Sequence, residues 1–202
     1  MSDEKERIVV SQKEWEAFYK RHAVLPESGE TTNFLEFLPQ NANILDFGAG
    51  NGRWAAAFAR DRPDLMIDIF DQNTEQAFLI PENWKGEKIK GDFADYSVTC
   101  IGKQYDGIWS YASLFFMNYK TLYKTFHELA LSLKNDGVIW FSMVDKCDIS
   151  DKARFNGLTE EEICRMLAGE NLQKMSIIKH ENKKYGKNEI IIPTYYVLAR
   201  KA

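Results

Sequence analysis

The stretch Asp46-Phe47-Gly48-Ala49-Gly50-Asn51-Gly52-Arg53 constrains this chain more than any other, because it sets three glycines at alternate positions between an apolar strand and a helix. Glycines at such a junction let the backbone approach a ligand and take φ values that other residues resist. Amides at the start of the following helix favour an electron-rich partner. A dinucleotide-binding turn, G-x-G-x-x-G, ends on a small residue that lets helix and strand pack closely under a pyrophosphate. Here that last position is Arg53, and Asp46 stands two residues before the first glycine. A carboxylate there repels a pyrophosphate and suits a ligand carrying an ammonium group. A second acid, Asp71, falls 19 residues past Gly52 at the end of the next strand. That is where a ribose diol is held by paired hydrogen bonds.

Around this turn strands alternate with helices, the pattern of a mostly parallel sheet covered on both faces. Ser11 with Glu14 reads as a capping box, and Trp15, Phe18, Tyr19 and His22 then recur at helical spacing. A short second helix is expected over Asn33–Leu38. Strands are expected over Ile44–Phe47 and Leu65–Phe70, with a helix over Arg53–Arg60 between them. Asn73 with Gln76 opens a short helix that Pro81 stops. Lys88–Lys90 and Tyr105–Tyr111 read as the third and fourth strands. The periodic helix Tyr119–Leu133 is closed by Asn135-Asp136-Gly137, and Val138–Met143 is apolar enough to be buried on both faces. Thr159 with Glu162 caps a helix to about Ala168, and Met175–Lys179 and Thr194–Arg200 read as a hairpin. At 202 residues the chain is one domain by a prior of about 150 residues each. Residues 1–40 form an N-terminal helical lid or substrate segment, and residues 41–202 the α/β core.

Lysine and arginine number 26 against 30 acids, a net charge of −4. The basic footprint of a nucleic-acid binder is therefore missing, and the basic run Lys179–Lys187 reads as a solvated hairpin tip. Cys100, Cys147 and Cys164 have no zinc spacing, and the scattered histidines and carboxylates outline no metal site. The longest nearly apolar stretch, Ile108–Met117, is about half of a bilayer span. MSDEKER at the start has no apolar segment of the signal-peptide kind. The expectation is a cytoplasmic domain with no membrane and no nucleic-acid partner.

With these motifs in order, residues 44–201 resemble the class I S-adenosylmethionine-dependent methyltransferases. Asp46–Gly52 looks like the family's first motif and Asp71 like its ribose acid. Gly91-Asp92-Phe93 looks like the adenine-side motif, with Asp92 meeting the exocyclic amine and Phe93 flanking the ring. Tyr105–Ser110 looks like the fourth-strand motif, and Leu133–Gly137 like the turn before the fifth strand. The resemblance implies a doubly wound, Rossmann-like sheet of seven strands with a C-terminal antiparallel hairpin. It implies S-adenosylmethionine as cofactor, held by Asp46, Gly48, Ala49, Gly50, Asp71, Gln72, Asp92, Phe93 and Ser110. More narrowly, the chain is similar to small bacterial enzymes of the tellurite-resistance and thiopurine-like type and of sugar pathways. It departs from the family where Phe47 and Ala49 replace the more frequent Leu and Cys, and where Trp54 replaces a short polar residue. Ser110-Tyr111-Ala112-Ser113 also replaces the Asn/Asp-Pro-Pro-aromatic segment of base-directed and glutamine-directed N-methyltransferases, so a different small-molecule acceptor is expected.

Methyl transfer from a sulfonium is an in-line displacement, whose rate comes from orientation and an activated acceptor. His22 is a candidate general base, because imidazole titrates near neutral pH, or else it completes the first helix's buried stripe. Asp145, just past the fifth strand, is a second catalytic candidate or a loop carboxylate. Trp15 and Tyr19 are substrate-side candidates that close over the methionine end, or pack the first helix on the sheet. Arg154 would recognise an anionic acceptor, or form a surface ion pair. Two other readings stay open: a non-catalytic subunit that binds the cofactor, and a nicotinamide-dependent oxidoreductase, which Arg53 and Asp46 disfavour.

Overall fold

The computed structural model describes residues 12–21, 23–27, 31–97, 102–146, 155–185 and 190–202. Seven strands form one sheet: β1 (Asn43–Phe47), β2 (Met66–Asp71), β3 (Lys88–Lys90), β4 (Tyr105–Ser110), β5 (Leu133–Val144), β6 (Leu172–Tyr185) and β7 (Ile190–Lys201). Their spatial order is β3-β2-β1-β4-β5-β7-β6. Pairing is parallel from β3 through β5 and antiparallel where β7 meets β5 and β6. Among the described residues five α-helices accompany them: α1 (Gln12–Arg21), α2 (Thr32–Leu35), α3 (Arg53–Asp61), α4 (Tyr119–Ser132) and α5 (Glu160–Gly169). Among the described residues no helix is long and apolar enough to cross a membrane.

Sequence alternation decides which face each helix covers. On one face Leu122, Phe126 and Leu129 of α4 and Ile163 and Leu167 of α5 share a core with Ile108, Ile139, Phe141 and Val197. On the other, Phe34 of α2, Leu38 just after it, and Trp54 and Phe58 of α3 pack on Ile44, Ile67, Ile69 and Trp109. The β1–β2 connection through α3 and the β4–β5 connection through α4 therefore leave toward opposite faces. The strand ends of β1 and β4 diverge at that switch point, and doubly wound sheets bind ligands there.

Several boundaries differ from the sequence reading. α4 stops at Ser132 and β5 begins at once, because Leu133 pairs with Tyr105 before a bulge restores the register at Gly107 and Val138. The positive φ of the expected turn falls on Asp136 at 63°, so that turn lies within the strand. The segment after Asn73 is a single 3-10 turn, Thr74–Gln76, since Pro81 leaves no room for a longer helix. The hairpin strands run to Tyr185 and start at Ile190, far longer than the apolar runs that mark them. The Ser11 cap lies outside the described residues.

The capping box at α5 forms as expected: Thr159 Oγ1 accepts from the Glu162 amide at 3.2 Å, and Glu162 Oε2 accepts from the Thr159 amide at 2.9 Å. Thr159→Ala should cost about 1 kcal/mol, a fall of roughly 2–4 °C in a thermal melt for a domain this size. An unchanged midpoint would show that the cap carries no weight.

Candidate active site

At the end of β1 the chain turns through Gly48, Gly50 and Gly52, with φ of 78°, 55° and 78°. The amides of Gly48 and Ala49 both donate to the Phe70 carbonyl, at 2.8 and 3.2 Å, which ties the turn to β2. Gly48 is required twice over, by its left-handed φ and because a Cβ there would meet Ser113 Cβ at 2.4 Å. Ser113 Oγ donates to the Phe47 carbonyl at 3.2 Å and shares a 2.6 Å hydrogen bond with Ser110 Oγ. Ser110 is fully buried, so its hydroxyl braces the turn from β4.

Two buried carboxylates flank the glycines. Asp46 Oδ2 accepts from the Ala55 amide at 3.2 Å, so an acid on β1 caps the first turn of α3. Burial pushes the Asp46 carboxyl up to about 7; the Ala55 hydrogen bond opposes this, and the neighbouring Asp71 charge adds to it. Asp71, at the end of β2, accepts from the Gly50 amide through Oδ2 and from the Asn73 amide through Oδ1, both at 3.0 Å. Its pKa also lies above the usual carboxylate range, again because of burial, although these amides pull it down.

The adenine-side candidates adjoin this turn. Gln72 Nε2 donates to Asp92 Oδ2 at 3.2 Å, and Asp92 Oδ1 accepts from the Ala94 amide at 2.9 Å. Phe93 packs on Phe47 at 5.1 Å and lies 3.7 Å from the position of a Cβ on Gly48. Asp46, Gly48, Ala49, Gly50, Asp71, Gln72, Asp92, Phe93 and Ser110 thus gather around the C-terminal ends of β1 to β4.

Tyr19 of α1 lies over this turn: a Cβ on Gly50 would meet its ring carbons at 2.6 and 2.8 Å. Burial, with the nearby Asp71 charge, holds its phenol well above the ordinary range. The Tyr19 carbonyl accepts from Asn51 Nδ2 at 3.4 Å. Tyr19 therefore sits against the glycine turn and beside Asp71. Trp15 falls one helical turn earlier in α1, and His22 and Arg154 lie outside the described residues.

Asp145 stands apart. It is buried beyond β5, and its Oδ2 accepts from Tyr195 Oη at 3.1 Å and pairs with Lys179 Nζ. Tyr195 belongs to the α4 and α5 side of the sheet. Phe115 and Met117 are buried in that same core, with Phe116 packed against it.

Two residues that organise the site were not singled out in sequence. Ser113 is a small residue three positions after Ser110, and only the β1–β4 pairing brings it to the Phe47 carbonyl. Asn51 is buried and its Oδ1 accepts from the Arg53 amide at 3.3 Å, giving α3 a local cap. Its place between two glycines was the available signal.

The donor set fits S-adenosylmethionine. A carboxylate has about four lone-pair positions, and Asp71 accepts from the Gly50, Asn73 and Gln72 amides, which leaves acceptor capacity for a ribose hydroxyl.

Comparison with known proteins agrees with this geometry. Residues 19–176 match the family model of a methyltransferase domain. A release factor glutamine methyltransferase of Streptococcus pneumoniae is 34% identical over 67 residues, 32% of this chain and 24% of that protein. The chain thus matches about a quarter of that relative's length. The crystal structure of TehB from Haemophilus influenzae superposes with a TM-score of 0.73 at 16% identity, over 93% of this chain and 66% of that one. The N-methyltransferase NodS from Bradyrhizobium japonicum, solved with S-adenosylhomocysteine, gives 0.63 at 12% identity, over 93% of this chain and 98% of that one. The chain belongs to the methyltransferase domain family and has the fold of the S-adenosylmethionine-dependent methyltransferases.

Proposed function

We propose that this protein is an S-adenosylmethionine-dependent methyltransferase acting on a small molecule in the cytoplasm. The observation that carries the reading is the Asp71 carboxylate, held by the Gly50, Asn73 and Gln72 amides on the rim of a left-handed glycine turn. In that place Asp71 binds the ribose diol, and Gln72 orients Asp92 toward the adenine amine. Phe93 forms one wall for the adenine ring, and Gly48, Ala49 and Gly50 let the donor lie against the backbone. Asp46 fixes the first turn of α3 behind the glycine turn. Ser110 keeps the floor in place through Ser113, and Tyr19 covers the methionine side.

When bound, S-adenosylmethionine supplies an electrophilic methyl group, which passes to the acceptor heteroatom as the carbon–sulfur bond breaks and its electron pair returns to sulfur. The protein's contribution is orientation and exclusion of water. Of the candidate groups for the acceptor, His22, Trp15 and Arg154 come from the segments that flank the site in sequence, and Asp145 closes the end of β5. The acceptor's proton leaves to His22 or to water.

Calorimetric titration with S-adenosylmethionine, S-adenosylhomocysteine and NAD tests the reading. Micromolar binding of the first two without NAD is expected, and NAD binding alone would revive the oxidoreductase. Tight donor binding with no transfer of labelled methyl across a broad acceptor panel would favour a non-catalytic subunit. Asp71→Ala should weaken donor binding by roughly tenfold to a hundredfold, the loss of hydrogen bonds to a charged acceptor. Unchanged affinity would remove Asp71 from the site.

A further inference from the structure

Among the described residues, four that are not glycine have a positive φ: Asn41, Ala112, Asp136 and Asn171. Asn and Asp tolerate that region because a short polar side chain can hydrogen-bond nearby backbone. Ala112, with a φ of 54°, has no such help. It follows the end of β4, at the switch point where β4 leaves β1. Strain of this kind persists only where the surroundings over-determine the backbone, and it gathers at sites whose geometry must be held.

A side chain from the neighbouring strand holds Ala112. Its amide donates to Ser142 Oγ at 2.8 Å. Ser142 is 2% exposed and is the one hydroxyl in the run Ile139-Trp140-Phe141-Ser142-Met143-Val144 of β5. In the sheet it stands between Tyr111 and Tyr196, since Ser110 pairs with Phe141 and Ser142 with Tyr196. A hydroxyl in such an apolar run costs free energy unless it is hydrogen-bonded. The amide it meets is that of the strained residue.

The next residue carries the effect to β1. Ser113 Oγ donates to the Phe47 carbonyl at 3.2 Å, so the Ser110 hydroxyl supplies the proton of the 2.6 Å bond between the two serines. Ser113 Cβ lies 2.4 Å from the position of a Cβ on Gly48, so the serine side chain touches the Gly48 backbone. A negative φ at Ala112 would redirect the chain and carry Ser113 away from both the carbonyl and the glycine. Contacts thus run without a gap from Ser142 on β5, through Ala112 and Ser113, to Phe47 and Gly48.

We propose that Ser142 is a positioning residue for the donor site. Its hydroxyl holds Ala112 in the left-handed conformation, and that conformation sets Ser113 against Phe47 and Gly48. The bearing on donor binding rests on the methyltransferase reading above; the coupling of β5 to the glycine turn does not.

The test takes two readings on the full chain. One is S-adenosylhomocysteine affinity by calorimetry. The other needs no ligand: hydrogen exchange, followed by NMR, at the Gly48 and Ala49 amides, which both donate to the Phe70 carbonyl. The Ile163 amide of α5, bonded to the Thr159 carbonyl, is the reference for the rest of the fold. Ser142→Ala should speed exchange at Gly48 and Ala49 about tenfold while Ile163 stays as in the wild type. It should weaken S-adenosylhomocysteine about fivefold to tenfold, the size of one lost hydrogen bond. Adding Ala112→Gly lets the turn take its φ without the hydroxyl, and should bring both readings at least halfway back on a logarithmic scale. A hydroxyl that served only core packing would lower the melting temperature, and glycine at position 112 would restore neither reading. Unchanged exchange at the glycine turn in Ser142→Ala overturns the proposal. So does an unchanged affinity in that variant beside a wild type that binds, or a double variant no better than Ser142→Ala. Failure of the wild type to bind S-adenosylhomocysteine, with the exchange pattern intact, would sink the donor reading and leave the coupling standing.

Discussion

Phe47→Ala should destabilise the protein by about 3–5 kcal/mol, the usual cost of removing a fully buried aromatic ring. Phe47 is entirely buried. Its ring lies 5.1 Å from each of Phe70, Phe93 and Tyr96, stacked on the first and edge-on to the last. No single neighbour can fill the void without leaving another contact, so collapse around the site will be partial. Total stabilities of about 5–15 kcal/mol make this loss visible in urea unfolding as a large fall in midpoint with little change in slope. Phe47→Leu, which retains most of the volume, should cost far less. Because Phe93 rests on Phe47, the alanine variant should also bind the donor more weakly under conditions where it remains folded. A loss below about 1 kcal/mol would mean that the cluster repacks.

The second large effect is on pH dependence. Burial raises Asp46 from 3.8 to about 7, so the folded chain keeps a proton that the unfolded chain releases. Below about pH 4 both states hold it, and the folded state has its full benefit. As pH rises toward 7 the unfolded state ionises first, and stability falls until the folded carboxyl ionises as well. With about 1.4 kcal/mol for each unit, the loss complete above pH 7 is roughly 4 kcal/mol. Asp71, raised in the same direction, adds to the slope. Asp46→Asn keeps an oxygen for the Ala55 amide and carries no charge at any pH. It should match the wild type in melting temperature near pH 3 and exceed it by several degrees at pH 8. Parallel profiles for the two proteins would show that Asp46 ionises without cost in the fold.

The glycine turn was legible because its signal is local: alternate glycines, a preceding apolar strand and the acid two residues upstream lie within one short stretch. Strand and helix positions followed from periodicity to within a few residues, and Lys88–Lys90 and the Thr159 cap matched outright. The least accurate ends are those of β5 and the hairpin. There, pairing with a neighbouring strand extends polar residues that no local preference would place in a sheet.

Sequence alone determined the class of fold and where the donor turn lies along the chain, because propensity, capping and glycine conformation act over a few residues. It did not determine what Asp46 and Asp145 do. Asp46 reads as a ligand-facing acid, yet its carboxylate caps a helix whose Ala55 amide arrives only through the β1–α3 packing. Asp145 reads as a candidate base, yet it is engaged by Tyr195 and Lys179 from strands 50 and 34 residues further along. Tyr111, Ser142 and Tyr196 form one row only because β7 enters between β5 and β6, against the order of the chain. Such contacts depend on strand order and register, which long-range burial selects and no local pattern encodes.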